Sequence, residues 1–188
     1  NYTTFRLSRL LSCSRRMSKS WSKHSLSLIL SLILTLGLQA QGIKWMSWNE
    51  AVEANKTAPK KIFVDVYTDW CGWCKRMDAT TFQDSAVVAM MNKNFYAVKL
   101  NAEQKESIFW HDMEWKWVPG GRSGFNSLAL ELLDRQMSFP SFVMLASEDV
   151  RIAISPGYKE PAALMKELKF AAEEMYKTTT WQEYLSRS

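Results

Sequence analysis

WCGWCK, residues 70–75, sets Cys71 and Cys74 two residues apart in an aromatic, positively charged hexapeptide. Two sulfurs at that spacing are a redox couple, half of a metal site or an inert crosslink. The flanking sequence discriminates. Upstream, KIFVDVYT (61–68) is a run rich in β-branched and aromatic residues that suits a strand buried on both faces, and it contains one conspicuous acid, Asp65. Downstream, residues 71–93 carry helical periodicity through Met77, Phe82, Val87, Val88, Met90 and Met91, interrupted near Thr80 and Thr81. The dithiol therefore sits where a buried strand hands over to a helix. That junction aims backbone N–H groups and the positive end of the helix dipole at the first helical residues. The thiolate is the nucleophile, and a helix N-terminus lowers the free-cysteine pKa of ~8.5. Cys71, nearer the helix end and the solvent, is the better nucleophile. Cys74, one turn further in and more buried, is placed to resolve a mixed disulfide by attacking the Cys71 sulfur.

The chain has 188 residues, 47% of them hydrophobic, enough for one domain with its own core. Its formal charge of +5 is unevenly spread. Arg6, Arg9, Arg15, Arg16, Lys19 and Lys23 fall in the first forty residues with no acid; removing those six from 24 basic residues leaves 18 against 19 acids. The remainder is near neutral, which argues against a nucleic-acid partner. Lys19, Lys23 and His24 precede an apolar run, LSLILSLILTLGL (26–38), followed by Gln39 and Ala40. This reads as a charged n-region, an h-region and a cleavage-like end, and the run is shorter than the ~20 apolar residues of a spanning helix. Residues 1–40 are thus expected to be a signal peptide with an N-terminal extension before Met17, and 41–188 one domain, exported to the periplasm and free of the membrane after cleavage. An uncleaved anchor is the alternative. Beyond the leader only Cys71 and Cys74 remain, too few for a disulfide-stapled scaffold and able to cycle between dithiol and disulfide in an oxidising compartment.

Outward from this centre, IKWM (43–46) reads as a short strand, and the following helix has a capping-box start in Ser47 and Glu50. FYAVKLNAE (95–103) is a strand. Residues 104–137 are less regular, with turn signals at Pro119-Gly120-Gly121 and Gly124 and a helix expected over 125–135. SFVMLA (141–146) pairs with VRIAIS (150–155), and an amphipathic helix spans 160–176. The order β-α-β-α-β-α-β-β-α implies an α/β fold, a mixed central sheet with helices on both faces.

A strand, then Trp70-Cys71-Gly72-Trp73-Cys74-Lys75 at a helix start, Asp65 six residues before the first cysteine, and Phe139-Pro140 opening a later strand together resemble the thioredoxin superfamily over about residues 43–176. FVDVYTDWCGWCKRMDATTF (63–82) is most similar to its exported bacterial thioredoxin-related branch. The resemblance implies the three-layer thioredoxin-like fold and disulfide exchange through a redox-active Cys71–Cys74 disulfide, with no other cofactor and no metal. It also implies a proton-transfer role for Asp65 towards Cys74 and a cis bond before Pro140, with the Phe139 backbone offered to an extended substrate. Trp70, Gly72, Trp73, Phe139 and Pro140 would form the substrate-facing surface. Asp65 has a second reading, a strand-end acid that reaches water or caps a turn. Trp73 departs from the pattern: thioredoxins usually carry Pro there and oxidising relatives often His, so a reductase or exchanger is favoured over a strong oxidant.

The expected partners are proteins or peptides with disulfides and an envelope electron donor or acceptor. A rival reading is a non-catalytic binding module or chaperone using the insert IFWHDMEWKWV (108–118). Its Phe109, Trp110, Trp115 and Trp117 would form either a groove wall beside the dithiol or a satellite cluster under a loop. His111 is too isolated for a metal site with two cysteines.

Overall fold

A computed structural model describes residues 42–121, 123–147 and 150–187. The expected leader, which contains the third cysteine of the chain, Cys13, lies outside the described residues. Strand β1 (Trp45–Met46) leads to α1 (Trp48–Thr57), then β2 (Lys61–Tyr67), α2 (Gly72–Ala79), a 3-10 turn (Thr81–Gln83), α3 (Ser85–Asn94) and β3 (Phe95–Asn101). The insert supplies β4 (Ile108–Trp110), β5 (Met113–Trp115), β6 (Trp117–Val118) and β7 (Phe125–Asn126). After it come α4 (Ser127–Leu132), β8 (Ser141–Leu145), β9 (Arg151–Pro156), α5 (Pro161–Ala172) and α6 (Trp181–Arg187).

Five strands form one sheet in the order β1-β3-β2-β8-β9. β2 lies at its centre, parallel to β3 and antiparallel to β8. Five consecutive residues of β2 are buried because helices cover both faces. Ile62, Val64 and Val66 point to one side, where Trp48 and Ala51 of α1 and Leu128 and Leu132 of α4 pack. Phe63 points to the other, against Met77 of α2, Val87 and Met91 of α3, and Leu164 and Leu168 of α5. By the two-residue strand period Asp65 shares the Phe63 face, beneath α2.

Local chemistry sets the helix boundaries. The Ser47 Oγ accepts from the Glu50 N–H at 3.3 Å and the Glu50 carboxylate accepts from the Ser47 N–H at 2.7 Å, completing the capping box. Asp84 Oδ1 accepts from the N–H groups of Ala86 and Val87, both at 3.0 Å, and restarts the helix after the break at Thr80.

Three expectations are corrected. The helix over 125–135 is replaced by β7, which pairs with β6, and by a helix confined to Ser127–Leu132, because Asn126 caps the Leu128 N–H at 3.0 Å. The final long helix stops at Ala172 and is followed by α6, whose Trp181 and Tyr184 pack on Phe170. The irregular insert contains two small antiparallel ribbons, the first turning through His111 and Asp112 at φ 52° and 57°, as a two-residue hairpin loop requires. Among the described residues no helix is long and apolar enough to cross a membrane.

Candidate active site

The C-terminal end of β2 passes through Thr68, Asp69 and Trp70 into α2, and the Cys71 N–H donates to the Thr68 carbonyl at 3.1 Å. Cys71 is the N-cap of α2. Its Sγ takes the place of the usual hydroxyl or carboxylate and accepts from the Cys74 N–H at 3.0 Å. The two sulfurs are bonded, 2.08 Å apart. Cys71 is 4% exposed and Cys74 3%. The expected contrast, an open Cys71 and a buried Cys74, is therefore absent in the disulfide form. The Cys71 sulfur is turned inward onto the first helical turn, and each sulfur covers the other.

Residues on both sides of the disulfide remain open. Trp70 is 65% exposed and Trp73 56%. Gly72 is exposed, and a Cβ built there would meet nothing within 4 Å. Because β8 begins with Ser141 opposite Val66, the residues just before it arrive at the dithiol end of the sheet. The Phe139–Pro140 peptide is cis and Pro140 is buried. The Phe139 ring meets the Trp70 ring edge-on at 5.9 Å, while the Phe139 N–H and C=O have no hydrogen-bond partner among the described residues.

Asp65 is 1% exposed. Lys99, its register partner on β3, brings Nζ to 2.7 Å from Oδ2. The ammonium serves Oδ2, and Oδ1 lacks a donor among the described residues. Burial pushes the Asp65 carboxyl up from 3.8 to about 6; Lys99 opposes part of that rise and Asp78 adds to it. Lys99 also pairs with Asp78 of α2. Burial works to lower the Lys99 pKa, but the two carboxylates outweigh it and hold it above its ordinary value.

Several groups at the site carry no obvious sequence signal. Tyr158, on the loop after β9, lies 5.4 Å from the Trp73 ring, with the Arg76 guanidinium over both rings at 5.5 and 5.4 Å. Beyond Trp70, a cavity of about 470 Å³ is lined by Trp70, Glu103, Ser123 and Phe125. Phe125 stands 6.3 Å from Phe139. The insert therefore reaches Trp70, the residue before the dithiol, and does so through Phe125 and Ser123. Trp110 packs edge-on against Trp48 of α1 at 5.0 Å, and the Trp115 indole donates to its carbonyl. Phe109, Trp110 and His111 line a different cavity with Val52 and Ser147. Ser147 lies beyond the end of β8 that pairs with the start of β2, so this part of the insert faces away from the disulfide. Among the described residues no group of three or more His, Cys, Asp or Glu side chains could hold a metal ion.

This fold, with a Cys-x-x-Cys pair at the strand-to-helix junction, defines a thioredoxin-superfamily protein. Residues 30–149 match the family model Thioredox_DsbH, described as a protein of unknown function, DUF255, and the chain belongs to that family. An uncharacterized protein from Caenorhabditis elegans is 33% identical over 67 residues, which is 35% of this chain and 9% of that protein. The chain thus spans less than a tenth of the length of the curated relatives it matches. Among solved structures, a candidate disulphide-isomerase from Bacteroides thetaiotaomicron superposes with a TM-score of 0.52 at 25% identity, over 72% of this chain and 98% of its own. A DsbH oxidoreductase superposes with a TM-score of 0.51 at 21% identity, over 71% and 86%.

Proposed function

We propose that the protein is a thiol-disulfide oxidoreductase acting on disulfides in other proteins of the cell envelope. The observation that carries this reading is the bonded Cys71–Cys74 pair, with Cys71 as the cap of α2 beside a cis-proline. In the reduced protein the first backbone N–H groups of α2 stabilise a Cys71 thiolate. That thiolate attacks one sulfur of a substrate disulfide, forming a mixed disulfide and releasing the other sulfur as a thiolate. Cys74 then attacks the Cys71 sulfur, the mixed bond breaks and the second substrate thiolate leaves. Two electrons pass from the dithiol to the substrate. Asp65, with a carboxyl near pKa 6, is able to take the Cys74 proton at neutral pH. The unpartnered Phe139 N–H and C=O would bind an extended substrate strand with little sequence selection, while Trp70, Gly72, Trp73 and Pro140 flank it.

Trp73 places an aromatic ring, and no imidazole, inside the dithiol turn, which favours a reductase or exchanger over a strong oxidant. The charged and apolar segments of residues 1–40 support export to the periplasm, with a domain beginning near residue 41. A dithiol or disulfide carrier of the same compartment would restore the pair. The low exposure of Cys71 favours a second reading, a binding module whose disulfide is inert. Reduction of the insulin interchain disulfides separates the two. The oxidoreductase requires turnover with a dithiol donor and its loss in Cys71→Ser; equal rates for both proteins would reject it.

A further inference from the structure

The cavity beside Trp70 has a built polarity. Glu103 Oε1 accepts from the Trp70 indole N–H at 3.0 Å and from the Ser123 hydroxyl, so both bonds converge on one oxygen. Among the described residues Oε2 has no hydrogen bond, and no Lys or Arg forms an ion pair with Glu103. Lys105, nearby in sequence, is turned to the Trp117 ring at 5.9 Å. Asp69 adds a second carboxylate on this flank, accepting from the Asn101 amide at 3.2 Å. The Trp73 flank instead carries Arg76. The walls of the cavity are aromatic, Trp70 and Phe125, and Phe139 adjoins both rings. A half-buried carboxylate with a free oxygen, set above aromatic walls, complements a long side chain with an apolar stem and a cationic end.

We propose that this cavity is a substrate subsite for a lysine or arginine beside the reacting cysteine, so that disulfides flanked by basic residues are preferred over those flanked by acidic ones. The inference rests on the oxidoreductase reading and adds a substrate class to it. The stem of the basic residue lies along Trp70 and Phe125, and its cation meets Glu103 Oε2. Substrate bound through the Phe139 backbone is held in register with the cavity by the Phe139 and Trp70 rings. Glu103 thereby acts on selectivity and takes no part in breaking the disulfide.

The test uses the reduced full chain and cysteine peptides capped as neutral 2-pyridyl disulfides, identical except for Lys, Gln or Glu on either side of the cysteine. Cys71 attacks the peptide sulfur, the S–S bond breaks and 2-thiopyridone is released; Cys74 then displaces the peptide thiolate. At low ionic strength a Lys peptide should react about fivefold faster than its Glu counterpart, with the ratio falling in high salt. Glu103→Gln keeps an acceptor for Trp70 and Ser123 and should bring the ratio close to one; Glu103→Lys should invert it. Arg122→Ala removes a basic side chain beside Ser123 in the sequence and should leave the preference in place. Equal wild-type rates, a preference that survives Glu103→Gln, or one that vanishes in Arg122→Ala would overturn the subsite while leaving the redox reading intact. No reaction with any peptide would sink that reading and the subsite with it.

Discussion

Lys99 Nζ stands 2.7 Å from Asp65 Oδ2 across the β2–β3 register and also pairs with Asp78 on α2, the helix that carries both cysteines. One ammonium thus joins the central strand, its neighbour and the active-site helix. Its position is further fixed by the rings of Trp45, Tyr67 and Phe82, 4.9, 5.2 and 5.3 Å away. The electrostatics beneath the disulfide therefore depend on a buried carboxyl and a partly buried lysine held in a nearly apolar setting.

The raised Asp65 pKa makes stability depend on pH with a defined sign. The folded state binds this proton more tightly than the unfolded chain, so the contribution is fully present below about pH 4 and is lost as pH rises through about 6. A rise of about two pKa units corresponds to about 3 kcal/mol. Asp65→Asn should therefore stabilise the oxidised protein by up to about 3 kcal/mol at pH 8 and by little near pH 4. Denaturant unfolding at the two pH values measures this; an equal effect at both would refute the assignment.

Lys99→Met removes the cation and leaves most of the packing. Asp65 then faces burial without its counter-ion, and its pKa should rise beyond about 6. The variant should lose about 2–4 kcal/mol at pH 8, where the carboxyl is forced to ionise, and clearly less at pH 5. Carbon-13 NMR of the Asp65 carboxyl during a pH titration reads the shift itself.

Gly124 positions the groove wall. Its φ is +76°, and a Cβ there would lie 2.4 Å from the Trp117 ring and 2.6 Å from the Val118 carbonyl oxygen. Gly124→Ala should cost about 2–3 kcal/mol through left-handed strain and overpacking. It should also displace Phe125, the next residue. Reactivity towards a peptide disulfide should then fall several-fold, while alkylation of Cys71 by iodoacetamide in the reduced protein stays within about twofold, since Gly124 takes no part in stabilising the thiolate. Parallel losses in both assays would mean that Gly124 supports the dithiol itself.

Much of this architecture was legible in the sequence because it is locally encoded. β2 is a continuous apolar run because both its faces are covered; the capping box at Ser47 and the break at Thr80 are contained within a few residues. Cys71 and Cys74 needed only their spacing and the junction they occupy. What could not be read depends on contacts distant in sequence. Lys99 is 34 positions from Asp65 and alternates with apolar residues like any strand lysine. Phe125 and Ser123 reach the site only through the β6–β7 pairing, which two-residue strands do not announce. The aromatic count drew attention to Trp110 and Trp115, whose periodicity gave no direction; Trp48 holds Trp110 against α1. The burial of Cys71 follows from its sulfur capping its own helix, a side-chain choice that spacing leaves undetermined.

The measurement that tests the central claim most directly is a trapping reaction on the folded Cys74→Ala variant. Incubated with a peptide disulfide and analysed by mass spectrometry without prior unfolding, it should carry one peptide, joined to Cys71, because the sulfur that would release the adduct is gone. Absence of an adduct under native conditions, with modification only after the chain is denatured, would contradict the account.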